Sequence, residues 1–237
     1  MDFGCVNGPP ALHTNLNRTL SPEQRAKRHR LGRVAADRRR CPPPSHKMFE
    51  MPLSSAFAVV LSYLLGCLNA GYYYVRLVHG KDIRLAGSGT AGARNAGRLF
   101  GNRVFALVFL GDAAKGAAAT AVGLSLGPES GALCAIAVVV GHIWPVQLGF
   151  RGGKGIASAL GALLLLAPWL LAWMALAFTA LRAIGQSSSR AGIAAFWVAA
   201  VGSALLYGRA QVGAMIVLAL LITISHWSKL REVSGHD

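Results

Sequence analysis

Residues 52–75 read PLSSAFAVVLSYLLGCLNAGYYYV, a stretch of 24 residues without a charged side chain. About 20 mostly apolar residues cross the hydrocarbon of a bilayer as one α-helix. A core helix of a soluble domain would instead carry a narrower apolar stripe and a polar face. The pattern recurs along the chain. Between Pro52 and Trp227 the apolar residues come in long blocks separated by short polar loops. The whole composition agrees, with 54% hydrophobic and only 14% charged residues, where a soluble domain has about 25% charged. Seven spans are predicted, near 52–75, 104–126, 131–148, 156–168, 169–183, 192–207 and 210–226, the fourth and fifth meeting at Pro168. The fold class expected is therefore all-α, a polytopic integral membrane protein with about seven transmembrane helices.

The loops predict the orientation. With the first loop inside, the inner loops hold Arg76, Lys81, Arg84, Arg94, Arg98, Arg103, Arg151, Lys154, Arg182, Arg190, Lys229 and Arg231, and the outer loops only Arg209. Basic residues gather on the cytoplasmic side of membrane proteins. The first span then starts outside and the C-terminus is cytoplasmic, in the plasma (inner) membrane. Residues 1–50 differ from the rest: they are basic, poor in apolar residues and carry Pro42-Pro43-Pro44, so no packed core is expected there. The same charge rule would keep this segment inside, against the orientation of the first span. That conflict is resolved if translation starts at Met48 or Met51 and the basic tail is no part of the native protein, or if the tail is present and the large basic loop that follows overrides its signal.

The formal net charge is +15. Such charge also suits nucleic acid, but residues 1–50 offer only Phe3 and Phe49 as aromatics and hence no stacking platform. No nucleic-acid partner is expected. Cys5, Cys41, Cys67 and Cys134 are scattered without C-x-x-C or Cys/His metal spacing, which supports neither a disulfide framework nor a zinc site. After the tail the only acids are Asp82, Asp112, Glu129, Glu232 and Asp237, too few for a carboxylate-driven hydrolase or a divalent-metal cluster.

Two inner loops carry the chemistry. The first, Gly87 to Arg98, reads GSGTAGARNAGR. Its glycines, Gly89 among them, let backbone amides cup an anion. Ser88 and Asn95 add neutral hydrogen-bonding groups, and Arg94 and Arg98 add fixed positive charge suited to phosphate. The second, Gly141 to Gly155, reads GHIWPVQLGFRGGKG. It is one residue short of a Walker motif and has Gly155 in the Ser/Thr position. A turn through Gly152 and Gly153 opening a helix near Ile156 would still aim amides and a helix dipole at an anion, with Lys154 as a mobile charge. At membrane depth Asp112 and Lys115, three apart, share a helix face; the pair either orients its span or takes part in function. His142 sits at a helix end, and a lone histidine there is more often a satisfied polar group than a base. His226, where the last span meets the cytosol, reads equally as an interface anchor or a functional group. Ser187-Ser188-Ser189-Arg190 reads as a helix N-cap.

Ser88–Arg98, Asp112-x-x-Lys115-Gly116 and Gly141–Gly155 together resemble the bacterial membrane glycerol-3-phosphate acyltransferases that use acyl-phosphate donors, the PlsY family. The resemblance covers about residues 53–232, so that 51–237 would form a membrane acyltransferase domain. The stretch G-H-x-x-P-V-x-x-x-F-[KR]-G-G-K-G is highly specific. The resemblance implies transfer of a fatty acyl group from acyl-phosphate to the 1-hydroxyl of glycerol 3-phosphate, giving lysophosphatidic acid. It implies no metal, no coenzyme A thioester and no other cofactor. By position, Ser88, Arg98 and Lys154 would bind phosphate groups, Ser189 would match the family's serine in the third inner loop, and His226 its histidine at the end of the last span.

With the loop readings added, the candidate substrate-binding set is Ser88, Gly89, Asn95, Arg98, His142, Gly152, Gly153, Lys154 and Ser189. The candidate catalytic set is His226, Lys154 and Ser88. The acyl chain is expected between helices near Ala157, Ala159 and Gly161. No nucleophile stands out, so direct transfer without an acyl-enzyme is expected, the hydroxyl proton going to His226 or to a substrate phosphate. The partners expected are the two substrates and the lipid bilayer, with the protein a monomer. The chain departs from the family pattern at Thr90 and Arg94, where Asn and Thr are usual, at Gln147 for Phe, at Ser225 and Lys229 around His226, and in a longer third loop before Ser189. Two alternatives stand beside this reading. One is an inactive or divergent relative acting on another phosphorylated acceptor. The other is an organic-phosphate transporter, although the chain lacks the repeated halves that transporters often show.

Overall fold

The computed structural model describes residues 51–227 and, before them, Glu23. The expected basic tail over 1–50 and its alternative start, with Lys229 and Arg231, lie outside the described residues. Among those described the chain is all-helical, with no strand. The helices are α1 (Leu53–Cys67), α2 (Ala70–His79), α3 (Ala93–Phe100), α4 (Asn102–Leu124), α5 (Pro128–Ile143), α6 (Ile156–Leu166), α7 (Pro168–Ala183), α8 (Ser188–Leu206) and α9 (Arg209–Ser225), with short 3₁₀ turns at Ile83–Leu85 and Val146–Leu148. By length and apolarity four stretches can cross a membrane: Leu53–His79, Asn102–Leu124, Pro128–Leu148 and Ser188–Leu206. The apolar helices α6, α7 and α9 are shorter, at 10–17 residues.

The first stretch agrees with the span expected over 52–75, but its helix is interrupted. It breaks at Leu68-Asn69, between α1 and α2. A break at membrane depth frees carbonyls that no water reaches, and these must find donors inside the protein. They do. Lys115 Nζ donates to Gly66 O at 2.9 Å and Leu68 O at 2.8 Å. Gln147 Nε2 donates to Cys67 O at 2.7 Å.

Packing rests on small residues. In lipid the association of helices depends on close van der Waals fit, which Gly and Ala permit. Between α4 and α6 the contact is reciprocal: a Cβ on Gly116 would overlap Ser158 O, and one on Gly161 would overlap Ala113 O. The same exchange joins α1 and α5, where Gly66 lies against Val138 O and Gly141 against Tyr63 O. The largest buried cluster draws on α4 to α9 and includes Val138, Leu163, Leu170, Phe196, Met215 and Ile222. Large apolar side chains such as Leu53, Leu110, Trp169 and Val201 point outward, as expected of surfaces facing lipid.

Candidate functional site

The loops at one end of α3, α6 and α8 surround a cavity of about 690 Å³. Its lining is divided by chemistry. One part is polar and basic: Ser88, Thr90, Arg94, Arg98, Lys154 and Ser187–Ser189. The other is apolar: Phe105, Phe109, Ile156, Leu160, Leu171, Met174, Phe178 and Phe196.

The polar part is built by three helix starts. Gly92 and Ala93, Gly155 and Ile156, and Ser187 and Ser188 all line the cavity, so α3, α6 and α8 each direct their first turn toward it. Unpaired amides and the helix dipole favour anions at such ends. Gly155 caps α6 with φ 82°, a left-handed conformation that a side chain would strain. Ser187 caps α8 by accepting a hydrogen bond from Arg190 N at 3.3 Å, as its sequence pattern predicts. Arg94 and Arg98 lie one turn apart on α3 and both reach the cavity.

The loops are tied together beneath these groups. Ala91 N donates to Gly152 O at 3.2 Å. Arg84 holds Asp82 at 2.7 Å and donates to Leu148 O, also at 2.7 Å. The hydrogen bonds from Arg84 hold the Asp82 carboxyl below its ordinary value, against a smaller upward push from burial. Ser225, at the end of α9, donates to Lys154 O at 3.0 Å.

Behind the cavity lies a buried polar cluster. Lys115 Nζ sits 2.9 Å from Asp112 Oδ1 and 2.9 Å from His142 Nδ1. His142 Nδ1 is 3.4 Å from the same carboxylate oxygen. Asp112 and His142 both reach the cavity wall. Gly153 leaves the space in which the imidazole lies, since a Cβ there would overlap His142 Nε2. His142 O in turn accepts from Gly153 N at 3.1 Å. The cluster thus joins the break in the first stretch to the loop that carries Lys154.

Of the residues expected from sequence, Ser88, Arg98, His142, Lys154 and Ser189 line one cavity. Gly89, Gly152 and Gly153 shape its loops instead, Gly89 with φ 69°. Asn95 is buried and fully occupied within its own loop. Its Oδ1 accepts from Ser88 N at 2.8 Å, and its Nδ2 donates to the carbonyls of Ile83, Ala86 and Thr90 at 3.0–3.1 Å. It orders Ser88 rather than reaching the cavity. His226 does not line the cavity either. It is buried, and its Nδ1 donates to Ile222 O at 2.8 Å.

The small residues expected beside an acyl chain part ways in the structure. Ala157 lines the cavity, while Ala159 and Gly161 are consumed by helix packing. The apolar wall comes from Phe105, Phe109, Leu171, Met174 and Phe178, which sequence reasoning missed. Only a helical wheel of α7 combined with its neighbours would have singled out the last three.

Comparison with known proteins places this architecture. The family profile described as glycerol-3-phosphate acyltransferase matches residues 56–235. The chain is 41% identical over 188 residues to glycerol-3-phosphate acyltransferase 1 of Desulfitobacterium hafniense strain Y51, covering 78% of this chain and 93% of that one. Among solved structures it resembles the crystal structure of PlsY (YgiH), an integral membrane glycerol 3-phosphate acyltransferase, in its glycerol 3-phosphate form. The TM-score is 0.72 at 31% identity, over 78% of this chain and 94% of that one. The lysophosphatidic acid form of PlsY matches over the same shares, with a TM-score of 0.69 and 30% identity. The chain is a helical membrane protein and belongs to the glycerol-3-phosphate acyltransferase family.

Proposed function

We propose that this protein transfers a fatty acyl group from acyl-phosphate to the 1-hydroxyl of glycerol 3-phosphate, giving lysophosphatidic acid for phospholipid synthesis. The observation that carries the reading is the divided cavity: arginines, a lysine, hydroxyls and three helix starts at one part, an apolar wall at the other. Both substrates carry a phosphate and one carries a long chain, so one enclosure suits both.

Arg98, Lys154 and Ser88 hold the acceptor's phosphate, and Ser189 contacts substrate from the third loop. The acyl chain lies along Phe105, Phe109, Leu171, Met174 and Phe178. The acceptor's hydroxyl oxygen bonds to the acyl carbonyl carbon, and the bond from that carbon to the phosphate oxygen breaks. The electron pair leaves on the phosphate, and the hydroxyl proton goes to that phosphate. His226 is the other candidate for the proton, but its position away from the cavity favours the phosphate. Fixed cations and amides aimed at the developing charge supply electrostatic stabilisation, and holding both substrates together supplies proximity. Seven spans, with the short helices α6, α7 and α9 also crossing, would put the start of α1 outside and the site's loops on the cytoplasmic face of the inner membrane, in keeping with their basic residues. The protein would act as a monomer without metal or other cofactor.

The test supplies palmitoyl-phosphate and labelled glycerol 3-phosphate to purified protein in lipid, with palmitoyl-coenzyme A as a parallel donor. Lysophosphatidic acid is expected from the acyl-phosphate alone. Arg98→Ala and Lys154→Ala should each lower the rate at least about a hundredfold, as loss of a charged transition-state contact does, while keeping the folded elution profile. Wild-type turnover in either variant would sink the site.

A further inference from the structure

Lys154 stands between Gly153 and Gly155, so its backbone has glycine on either side and little local restraint. On the N-terminal side the loop is held by Gly152 N and Gly153 N, which donate to Ile143 O and His142 O at 3.1 Å. On the C-terminal side the ladder of α6 begins with Gly155 O, which accepts from Ala159 N at 2.9 Å. The carbonyl of Lys154 lies between these two supports and ahead of the ladder. Ser225 Oγ reaches it from the end of α9, at 3.0 Å and across 71 positions of sequence. That hydroxyl has one hydrogen to give, and Ile222 O also lies 2.8 Å away. Ile222 O can only accept, and it sits 2.8 Å from His226 Nδ1 as well. His226 Nδ1 therefore carries a hydrogen and supplies Ile222 O, which leaves the Ser225 hydrogen for Lys154 O.

The end of α9 is a firm base for this contact. Leu218 and Ile222 are fully buried in the largest core cluster, and Thr223 Oγ1 accepts from Trp197 Nε1 of α8 at 3.1 Å. We propose that Ser225 is a positioning residue of the site: its hydroxyl fixes the Lys154 carbonyl to the end of α9, and so sets the direction in which the Lys154 side chain meets the acceptor's phosphate. The inference rests on the phosphate-binding role given to Lys154 above. A peptide plane flanked by glycines turns at little steric cost, and turning it swings the side chain it carries. Misplacement by about 1 Å is enough to slow a reaction strongly. Ser225 does not line the cavity and acts on the substrate only through Lys154. Position 225 is one at which the chain departs from the family pattern, so this tie is the chain's own way of holding the loop.

The experiment compares wild type, Ser225→Ala, Ser225→Val and Ser225→Thr, the last two alike in shape and different in the hydroxyl. Loss of a neutral hydrogen bond alters an equilibrium about two- to tenfold. Ser225→Ala and Ser225→Val should raise KM for glycerol 3-phosphate about fivefold and leave KM for palmitoyl-phosphate within about twofold. Ser225→Thr should keep both within about twofold of wild type. In the Lys154→Ala background the positioned group is gone, and Ser225→Ala should then change the acceptor KM by less than about twofold, because residues that act as one unit are not additive. An unchanged acceptor KM in the Ala and Val variants, an equal rise for both substrates, or the same rise in the Lys154→Ala background overturns the assignment. Titration of inorganic phosphate onto the full chain separates this from failure of the underlying reading. Binding weakened by Ser225→Ala, and no weaker in the double variant than in Lys154→Ala, keeps the positioning role even with no turnover in wild type. Binding weakened by Lys154→Ala but unchanged by Ser225→Ala keeps the phosphate site and overturns the role of Ser225.

Discussion

α6 and α7 follow one another in sequence and flank the same cavity, yet they are packed in opposite ways. Seven of the eleven residues of α6 are buried, and Gly161 brings its backbone against α4. Only Leu170 and Met174 of the sixteen residues of α7 are buried, while Trp169, Trp173 and Leu176 face outward. The polar part of the cavity, at the start of α6, thus stands on backbones in contact, and part of the apolar wall leans on a helix with few internal anchors. A reacting centre tolerates little displacement, whereas a chain-binding wall can yield. The tighter packing lies at the basic part of the cavity.

The strongest attempt to break this contrast removes the cation behind the rigid part. Lys115→Met leaves Asp112 without its ammonium partner and orphans the carbonyls of Gly66 and Leu68. Breaking a buried pair by deleting one partner costs about 3–5 kcal/mol. Thermal unfolding in detergent should show a large loss of stability, or no folded protein at all. An unchanged melting temperature would mean that the cluster does not carry the rigid half. Next in size is Gly161→Val, which drives a side chain into Ala113 O and should cost about 1–3 kcal/mol or more. Its control is Gly213→Ala on α9, which has open space around it and should be neutral or gain up to about 1 kcal/mol from helix propensity.

The compliant half is sharpened by Ala175→Phe. Ala175 is exposed and lines the cavity from α7, so a phenyl ring there shortens the apolar space without invading a packed core. Each methylene of a substrate denied burial costs about 0.8 kcal/mol. The ratio of palmitoyl to decanoyl donor turnover should fall several-fold, with stability nearly constant. A collapse in stability would show that α7 is as tightly held as α6.

This contrast also marks what the sequence can and cannot display. Glycine density, basic residues and the cap at Ser187 are local signals, and they located the loops, the start of α6 and the start of α8. Ser88, Arg98, Lys154 and Ser189 therefore meet in one cavity, as the loop motifs suggest. The break at Leu68-Asn69 was hidden, because apolar residues continue on both sides and its carbonyls are satisfied by Lys115, 47 positions away from Leu68. The Asp112–Lys115 pair is visible at helical spacing, but its union with His142 depends on α4 packing beside α5. Ala159 and Gly161, expected beside an acyl chain, pack against other helices instead. Small residues mark equally a place for a ligand and a place for another helix, and only the neighbours decide. His226 and Asn95 show the same limit for polar side chains: the Nδ1 of His226 bonds to its own helix, and Asn95 bonds within its own loop.

The smallest effect tests the exposed counterpart of the Lys115 cluster. Asp82 and Arg84 tie the first loop to the second through Leu148 O, but they are only half-buried, and such pairs contribute at most about 1 kcal/mol. The Asp82 carboxyl lies below its ordinary value in the folded protein because Arg84 donates to it. A lowered folded value means that the pair's contribution is complete above the unfolded carboxylate range, near about pH 4, and is lost as pH falls through the folded value. Asp82→Asn should therefore melt slightly below wild type at pH 7, and the gap should close on acidification below about pH 4. A gap that persisted in acid would assign the effect to the shape of the asparagine rather than to charge. A gap as large as that of Lys115→Met would mean that the loops are held from their surface and not from the cluster beneath them.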